Sequence, residues 1–365
     1  MTGVKPLVLF WACILGVLAG TAVGLQFLGP PASAVAGRAG HDAPGAGDQA
    51  RAGQDQAGQD QPASARATPA RAVATQSDPA PASRMDLTAI PEPDPALQEP
   101  SEFAGRLLPR IDATGRSPAS LYAAAFDPAE RHPRIALVID GAGLDRGLTI
   151  QANRTLPAAI DLAFSAYAPQ ADAGRIARDA RRLGRECLVS VPMEPNGFPA
   201  AEEGDRSLLT GSDATQSRAN LEWALSNVQG CVGATGASDG LAGERFAESR
   251  QAFADMLATI AQHGLIYLDP RPGAPAPADT GAIHVSPYVV DVVVDAAAAS
   301  DLPADAEAID HNLAMLEQIA ARRGAAIGLA GPPTPVLLDR LAVWSHGLAA
   351  RGMVLAPLTA MPRPK

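Results

Sequence analysis

Arg134-Ile-Ala-Leu-Val-Ile-Asp140, running straight into Gly-Ala-Gly143, is an apolar run of strand length that ends on an acid. Its apolar residues are continuous and do not alternate with polar ones, so both faces of the strand must be covered. A strand covered on both faces belongs to a parallel sheet with helices packed against it. Similar runs recur at Ala159–Ser165, Glu186–Val191, Cys231–Thr235, Leu265–Asp269, Tyr288–Val294, Ala325–Leu329 and Met353–Leu355. Helical patterns lie between them at Ala171–Leu183, Asp213–Val228, Phe246–His263, Ala304–Arg323 and Pro335–Ala350. Gly184, Gly230, Gly264, Gly324 and Gly352 stand where helices end before strands begin. The repetition predicts an α/β barrel of seven or eight parallel strands, closed or nearly so, with a doubly wound open sheet as the alternative.

In either architecture chemistry belongs at the carboxyl ends of the strands. Asp140, Glu194, Asp269 and Asp295 are acids at such positions, and the first three are the candidate catalytic residues. Glu194 stands in Pro192-Met-Glu-Pro195, where flanking prolines would aim its carboxylate. Each acid also has an ordinary structural role open to it. Asp140 suits a helix cap or turn, Glu194 a solvated loop, and Asp269 an ion pair with Arg271. Gly141-Ala-Gly143 lacks the third glycine of a dinucleotide fingerprint, so no cofactor is expected.

Histidine argues against a metal. The six are His41, His132, His263, His284, His311 and His346. None follows a strand end, and no two share a ligand spacing. A zinc or iron site usually needs at least two imidazoles or thiolates, so no metal is expected. Cys187 and Cys231 lie in apolar strand runs and read as buried apolar residues in preference to a disulfide. No Gly-x-Ser-x-Gly elbow supplies a hydrolase nucleophile.

Outside this region the 365-residue chain changes character twice. Leu7 to Leu25 carries no charge, and the apolar run extends to about Gly29. Roughly 20 helical residues span the ~30 Å hydrocarbon core. Residues 1–29 therefore read as a membrane anchor, with Lys5 on the cytoplasmic side. The competing reading is a signal peptide cleaved near Ala32-Ser33-Ala34. Residues 30–102 have no aromatic residue after the anchor, and Ala52-Gly-Gln-Asp-Gln56 repeats at once as Ala57-Gly-Gln-Asp-Gln61. Such a stretch buries too little apolar surface to offset its entropy and reads as a disordered linker. The folded domain is expected over 103–365, exported beyond the membrane. Net charge is −10 with no basic cluster, which argues against nucleic acid as a partner.

Six segments in order resemble the divergent polysaccharide deacetylase family: 135–144, 162–169, Val191-Pro-Met-Glu-Pro195, 264–271, 290–295 and 326–333. The resemblance covers about 107–360 and includes Arg110-Ile-Asp-Ala-Thr-Gly-Arg-Ser-Pro118 as a lead-in. It implies a deacetylase-like (β/α) barrel and a link to carbohydrate metabolism. Relatives with intact sites are metal-dependent hydrolases of acetylated envelope polysaccharides. The departures fall where that chemistry would be. A second acid is replaced by Gly141, a histidine by Ser190, and the histidine of a late Gly-His-Pro by Gly331. The middle motif is longer and lacks histidine over 234–246.

These features imply an inner-membrane, single-pass protein with its C-terminal domain in the periplasm. Its expected partner is cell-envelope polysaccharide or peptidoglycan, bound without metal catalysis. The alternatives are a carbohydrate hydrolase working through Asp140, Glu194 and Asp269 alone, or an envelope scaffold.

Overall fold

A computed structural model of the chain describes residues 89–201, 203–275, 287–295 and 306–363. The chain divides into units Met1–Ser77 and Asp78–Lys365, and every described residue lies in the second. The expected anchor at 1–29, and the linker as far as residue 88, lie outside the described residues. Among the described residues no helix is long and apolar enough to cross a membrane.

The folded unit starts before the expected boundary at Phe103. Ile90 and Leu97 are buried, and the Ile90 amide donates to the Arg181 carbonyl at 2.8 Å. A small antiparallel pair follows, β1 (Gln98–Pro100) with β2 (Leu107–Pro109). The linker reading extended too far because two apolar anchors in a Pro-rich stretch give no periodic signal.

The main sheet is parallel throughout. It comprises β3 (Arg134–Ala142), β4 (Ile160–Ser165), β5 (Cys187–Ser190), β6 (Gly233–Thr235), β7 (Ile266–Asp269), β8 (Tyr288–Val289), β9 (Val292–Val293), β10 (Ala325–Ala330) and β11 (Val354–Leu355). The order is β8-β7-β6-β5-β4-β3-β10-β9, with β11 beside the start of β3. The expected single strand Tyr288–Val294 is two short ones on opposite edges. Val290 donates its amide to Asp269 of β7, and Asp291 donates to Ile327 of β10. One short segment thus bridges both ends of the sheet, which curls into a barrel without a full closing ladder.

The continuous apolar strands serve two cores. Ile135, Leu137 and Ile139 of β3 point outward beneath the helices, whereas Ala136 and Val138 point into the barrel with Ala163, Leu188, Leu268, Ile327 and Leu329. The outer layer is built from α2 (Arg146–Thr155), α3 (Gln170–Arg182), α4 (Ala214–Leu225), α5 (Glu244–Glu248), α6 (Arg250–Gln262), α7 (Ala306–Arg323) and α8 (Pro335–Gly347), after a single turn α1 (Pro118–Leu121). Asp145, Asp213 and Thr334 cap α2, α4 and α8 by accepting from backbone amides three residues on. The five glycines expected at helix ends all have φ between 72° and 83°. The expected helix Phe246–His263 is broken at Ser249 into α5 and α6, and α2 was not anticipated.

Cys187 and Cys231 form a disulfide with a Cα–Cα distance of 4.6 Å, correcting the expectation of free apolar thiols. Apolar surroundings do not separate the two states. The parallel register of β5 and β6 brings the residues together, and that register cannot be read from composition. A fully buried Arg185 adds a second tie. Its guanidinium donates to Asn153 Oδ1 and to the carbonyls of Asn153, Leu156, Pro157 and Ile160, so the end of α2 is fixed to β4. Burial pulls the Arg185 pKa down to about 10.

Candidate functional site

Asp140 leaves β3 facing the barrel interior, in register with the inward Ala136 and Val138. It is 2% exposed. Ser190, the last residue of β5, donates its hydroxyl to Asp140 Oδ1 at 2.7 Å, and the Gly240 amide approaches Oδ2 at 3.5 Å. Burial raises the Asp140 carboxyl to about 6, partly offset by the Ser190 bond.

Two further acids belong to this mouth. Glu203, in the loop after β5, accepts the Met193 amide at 3.0 Å on Oε2, while its buried Oε1 has no partner among the described residues. Burial lifts its pKa to about 9 against bonds from Met193 and Ser238, and the charges of Asp140 and Glu244 add to the rise. Asp295, just past β9, accepts the Gly331 amide at 2.9 Å and is raised to about 6 by burial, with a contribution from Asp140. The Tyr267 hydroxyl, also buried without a partner among the described residues, is raised by burial and by Asp269. Sequence reasoning noted Asp295 as a strand-end position and missed Glu203. Glu203 sits in a loop ten residues past Met193, where no strand-end rule reaches.

Glu194 and Asp269 stand apart from Asp140 in their bonding. Glu194 Oε2 accepts the Thr210 amide at 2.6 Å and the Thr210 hydroxyl at 2.7 Å, and Oε1 meets Arg245 Nε at 2.8 Å. Asp269 follows the inward Leu268, so it points outward. It accepts the Arg271 amide at 3.0 Å and Nε at 2.9 Å, and pairs with its terminal nitrogen at 2.6 Å. That guanidinium lies 5.3 Å from the Phe253 ring centroid in the outer layer. The structure therefore gathers Asp140, Glu203 and Asp295 by their electrostatics, and gives Glu194 and Asp269 an arginine each.

The residues present do not fit a metal ion. Gly141 has φ +67°, and a Cβ built there would lie 2.7 Å from the Pro332 Cβ. Gly331 has φ +126°, and its Cβ would lie 2.5 Å from the Asp140 carbonyl oxygen. Both contacts are shorter than any real Cβ tolerates, so neither position can carry an acid or an imidazole on this backbone. At the third departure, Ser190 spends its hydroxyl on Asp140. Among the described residues no three His, Cys, Asp or Glu side chains stand together to hold a metal. His132 bonds Glu130, His263 bonds the Pro109 carbonyl, and His346 bonds the Ala342 carbonyl. His311 lies on α7, and His41 and His284 fall outside the described residues.

The sequence profile of the divergent polysaccharide deacetylases matches residues 137–361. A crystal structure of an uncharacterized protein from Agrobacterium tumefaciens C58 is similar, with a TM-score of 0.62 and 29% identity over 70% of this chain and 99% of that one. No curated protein matches the chain. With the profile spanning more than half of its length and a parallel barrel beneath it, the chain belongs to the divergent polysaccharide deacetylase family.

Proposed function

We propose that this protein is a membrane-anchored, exported member of its family that binds an envelope polysaccharide and does not deacetylate it through a metal. The observation that carries this reading is the closure of positions 141 and 331, where packing against Pro332 and Asp140 leaves no room for ligand side chains. What remains at the mouth is hydroxyl and carboxyl chemistry: Asp140 with Ser190, Glu203 with Ser238, and Asp295. Raised carboxyls that hold a proton both donate and accept, as sugar hydroxyls do. The uncharged run Leu7–Leu25 supports anchoring. The Cys187–Cys231 disulfide supports an oxidising compartment beyond the membrane.

The test is sedimentation of the full-length protein with isolated peptidoglycan, alongside an acetate-release assay with added zinc or cobalt. Co-sedimentation without acetate is the expected result. Metal-dependent acetate release would sink the proposal. Retention by membranes alone, with no pelleting on peptidoglycan, would favour the scaffold reading instead.

A further inference from the structure

Five side chains from four segments meet beside the mouth. Tyr167 lies in the loop after β4, Arg206 in the loop after β5, Trp223 on α4, and Phe103 and Arg106 between β1 and β2. The Tyr167 and Trp223 ring centroids are 5.1 Å apart. Both guanidiniums rest on the same indole, Arg106 at 5.4 Å and Arg206 at 5.9 Å from its centroid, and Arg206 also lies 5.4 Å from the Phe103 centroid. The Tyr167 hydroxyl accepts the Arg206 amide at 2.9 Å, which fixes that loop to the cluster. All five residues are half-buried.

Two like charges held against one ring repel each other. The Arg106 pKa is lowered by burial and by Arg206. Among the described residues no carboxylate forms an ion pair with either guanidinium. Arg106 spends one donor on the Trp223 carbonyl at 3.2 Å, and Asp205 is the chain neighbour of Arg206. A chain of net charge −10 keeps these two arginines together with no ion pair on either, while the Asp205 and Glu203 charges act on the neighbouring Tyr167 hydroxyl and leave both guanidinium forks free of a bidentate partner. Cation–π contacts brace the guanidiniums, so little side-chain entropy remains to be lost on binding.

We infer that Arg106 and Arg206, braced on Trp223 and Phe103, form a subsite for the carboxylate of an acidic sugar in a polysaccharide strand. The inference rests on the proposed glycan-binding role and narrows it to anionic glycans. Guanidinium forks match carboxylates in a bidentate manner. Tyr167 and Arg206 are carried by the loops that leave the carboxyl ends of β4 and β5, and the second of these loops also carries Glu203 of the mouth.

The test is a tryptophan-fluorescence titration of the full-length protein in detergent with polygalacturonate, with neutral cellohexaose as the second probe. Arg206→Gln should weaken polygalacturonate binding at least tenfold while leaving cellohexaose binding and the melting temperature unchanged. Arg206→Lys should recover part of the loss, because it restores the charge without the fork. Polygalacturonate bound no better than cellohexaose, or bound equally by wild type and Arg206→Gln, would overturn this inference and leave glycan binding standing. Binding of neither probe would overturn the glycan-binding role and the subsite with it. Binding of oligo(dT) as tight as polygalacturonate would show a general polyanion surface and also overturn the subsite.

Discussion

At the amino-terminal mouth of the barrel, Asp161 of β4 and Glu186, just before β5, face inward as neighbours. At the carboxyl mouth, Asp140, Glu203 and Asp295 do the same work of burying acid, yet they are held differently. The lower pair is bound by main chain. Leu358 donates its amide to Asp161 at 2.8 Å; Ala124 and Thr359 donate theirs to Glu186 at 2.8 and 3.2 Å, and the Thr359 hydroxyl joins them. These bonds fasten the chain's closing turn, Leu358–Ala360, beneath the barrel. Burial raises both carboxyls, and the Glu186 charge adds to the rise of Asp161. The upper group is held by the Ser190 hydroxyl and by amides of the loops at the mouth, and each group leaves one buried oxygen without a partner among the described residues, Asp161 Oδ1 below and Glu203 Oε1 above. Acids fixed by main-chain donors act as anchors. The upper acids are tied instead to the loops at the mouth, where a ligand would enter.

The anchoring mouth should therefore dominate stability, and the disulfide belongs to it, since Cys187 opens β5 and Cys231 precedes β6. Replacing both cysteines by alanine should cost about 4 kcal/mol on the chain-entropy account of a loop this long. Urea unfolding checks it, and a loss under about 1 kcal/mol would break the comparison at its strongest point. Glu186→Ala should cost about 3 kcal/mol by leaving the Ala124 and Thr359 donors unpaired. The same measurement applies, and the carboxyl mouth should keep its ligand binding in any folded fraction.

The upper mouth should add to a pH dependence whose sign the raised Asp161 and Glu186 carboxyls share. The folded-state pKa of Glu203, about 9, lies above its unfolded value, as do those of Asp140 and Asp295, both about 6. For such groups the native state binds the extra proton. Their contribution is fully present below about pH 4, the unfolded carboxyl range. It is lost as pH rises, by about 6 for the two aspartates and by about 9 for Glu203. The protein should be more stable at pH 5 than at pH 8. Glu203→Gln should flatten that slope and stabilise the fold at pH 8 by on the order of 2 kcal/mol. A Glu203→Gln profile parallel to wild type would show that Glu203 is not the group responsible. The smallest effect is expected for Ser190→Ala, about 1 kcal/mol for one lost hydrogen bond. Carbon-13 NMR titration should then find the Asp140 carboxyl above its wild-type value.

The same contrast explains what could be read from the sequence. β3 and β10 were legible because long apolar runs have few other uses, and the barrel followed from their repetition. Tyr288–Val294 looked like one strand because nothing local reveals that its two halves pair with opposite edges. α2 was missed because Arg146–Thr155 buries only Thr149, Ala152 and Asn153 and shows no apolar stripe. Asp140 was legible as a strand-end acid. The outward turn of Asp269 was not, because a strand buried on both faces carries no alternation to tell inward from outward. Glu203 depended on how a loop folds back over Met193, which spacing does not encode.

Metal-independent glycan binding is tested most directly by calorimetric titration of the full-length protein with an N-acetylated peptidoglycan oligosaccharide, before and after chelation and again with added zinc, with acetate assayed in each cell. Closed positions at 141 and 331 predict the same affinity in all three conditions and no acetate. Binding that disappears on chelation, or acetate that accumulates when zinc is restored, would contradict it.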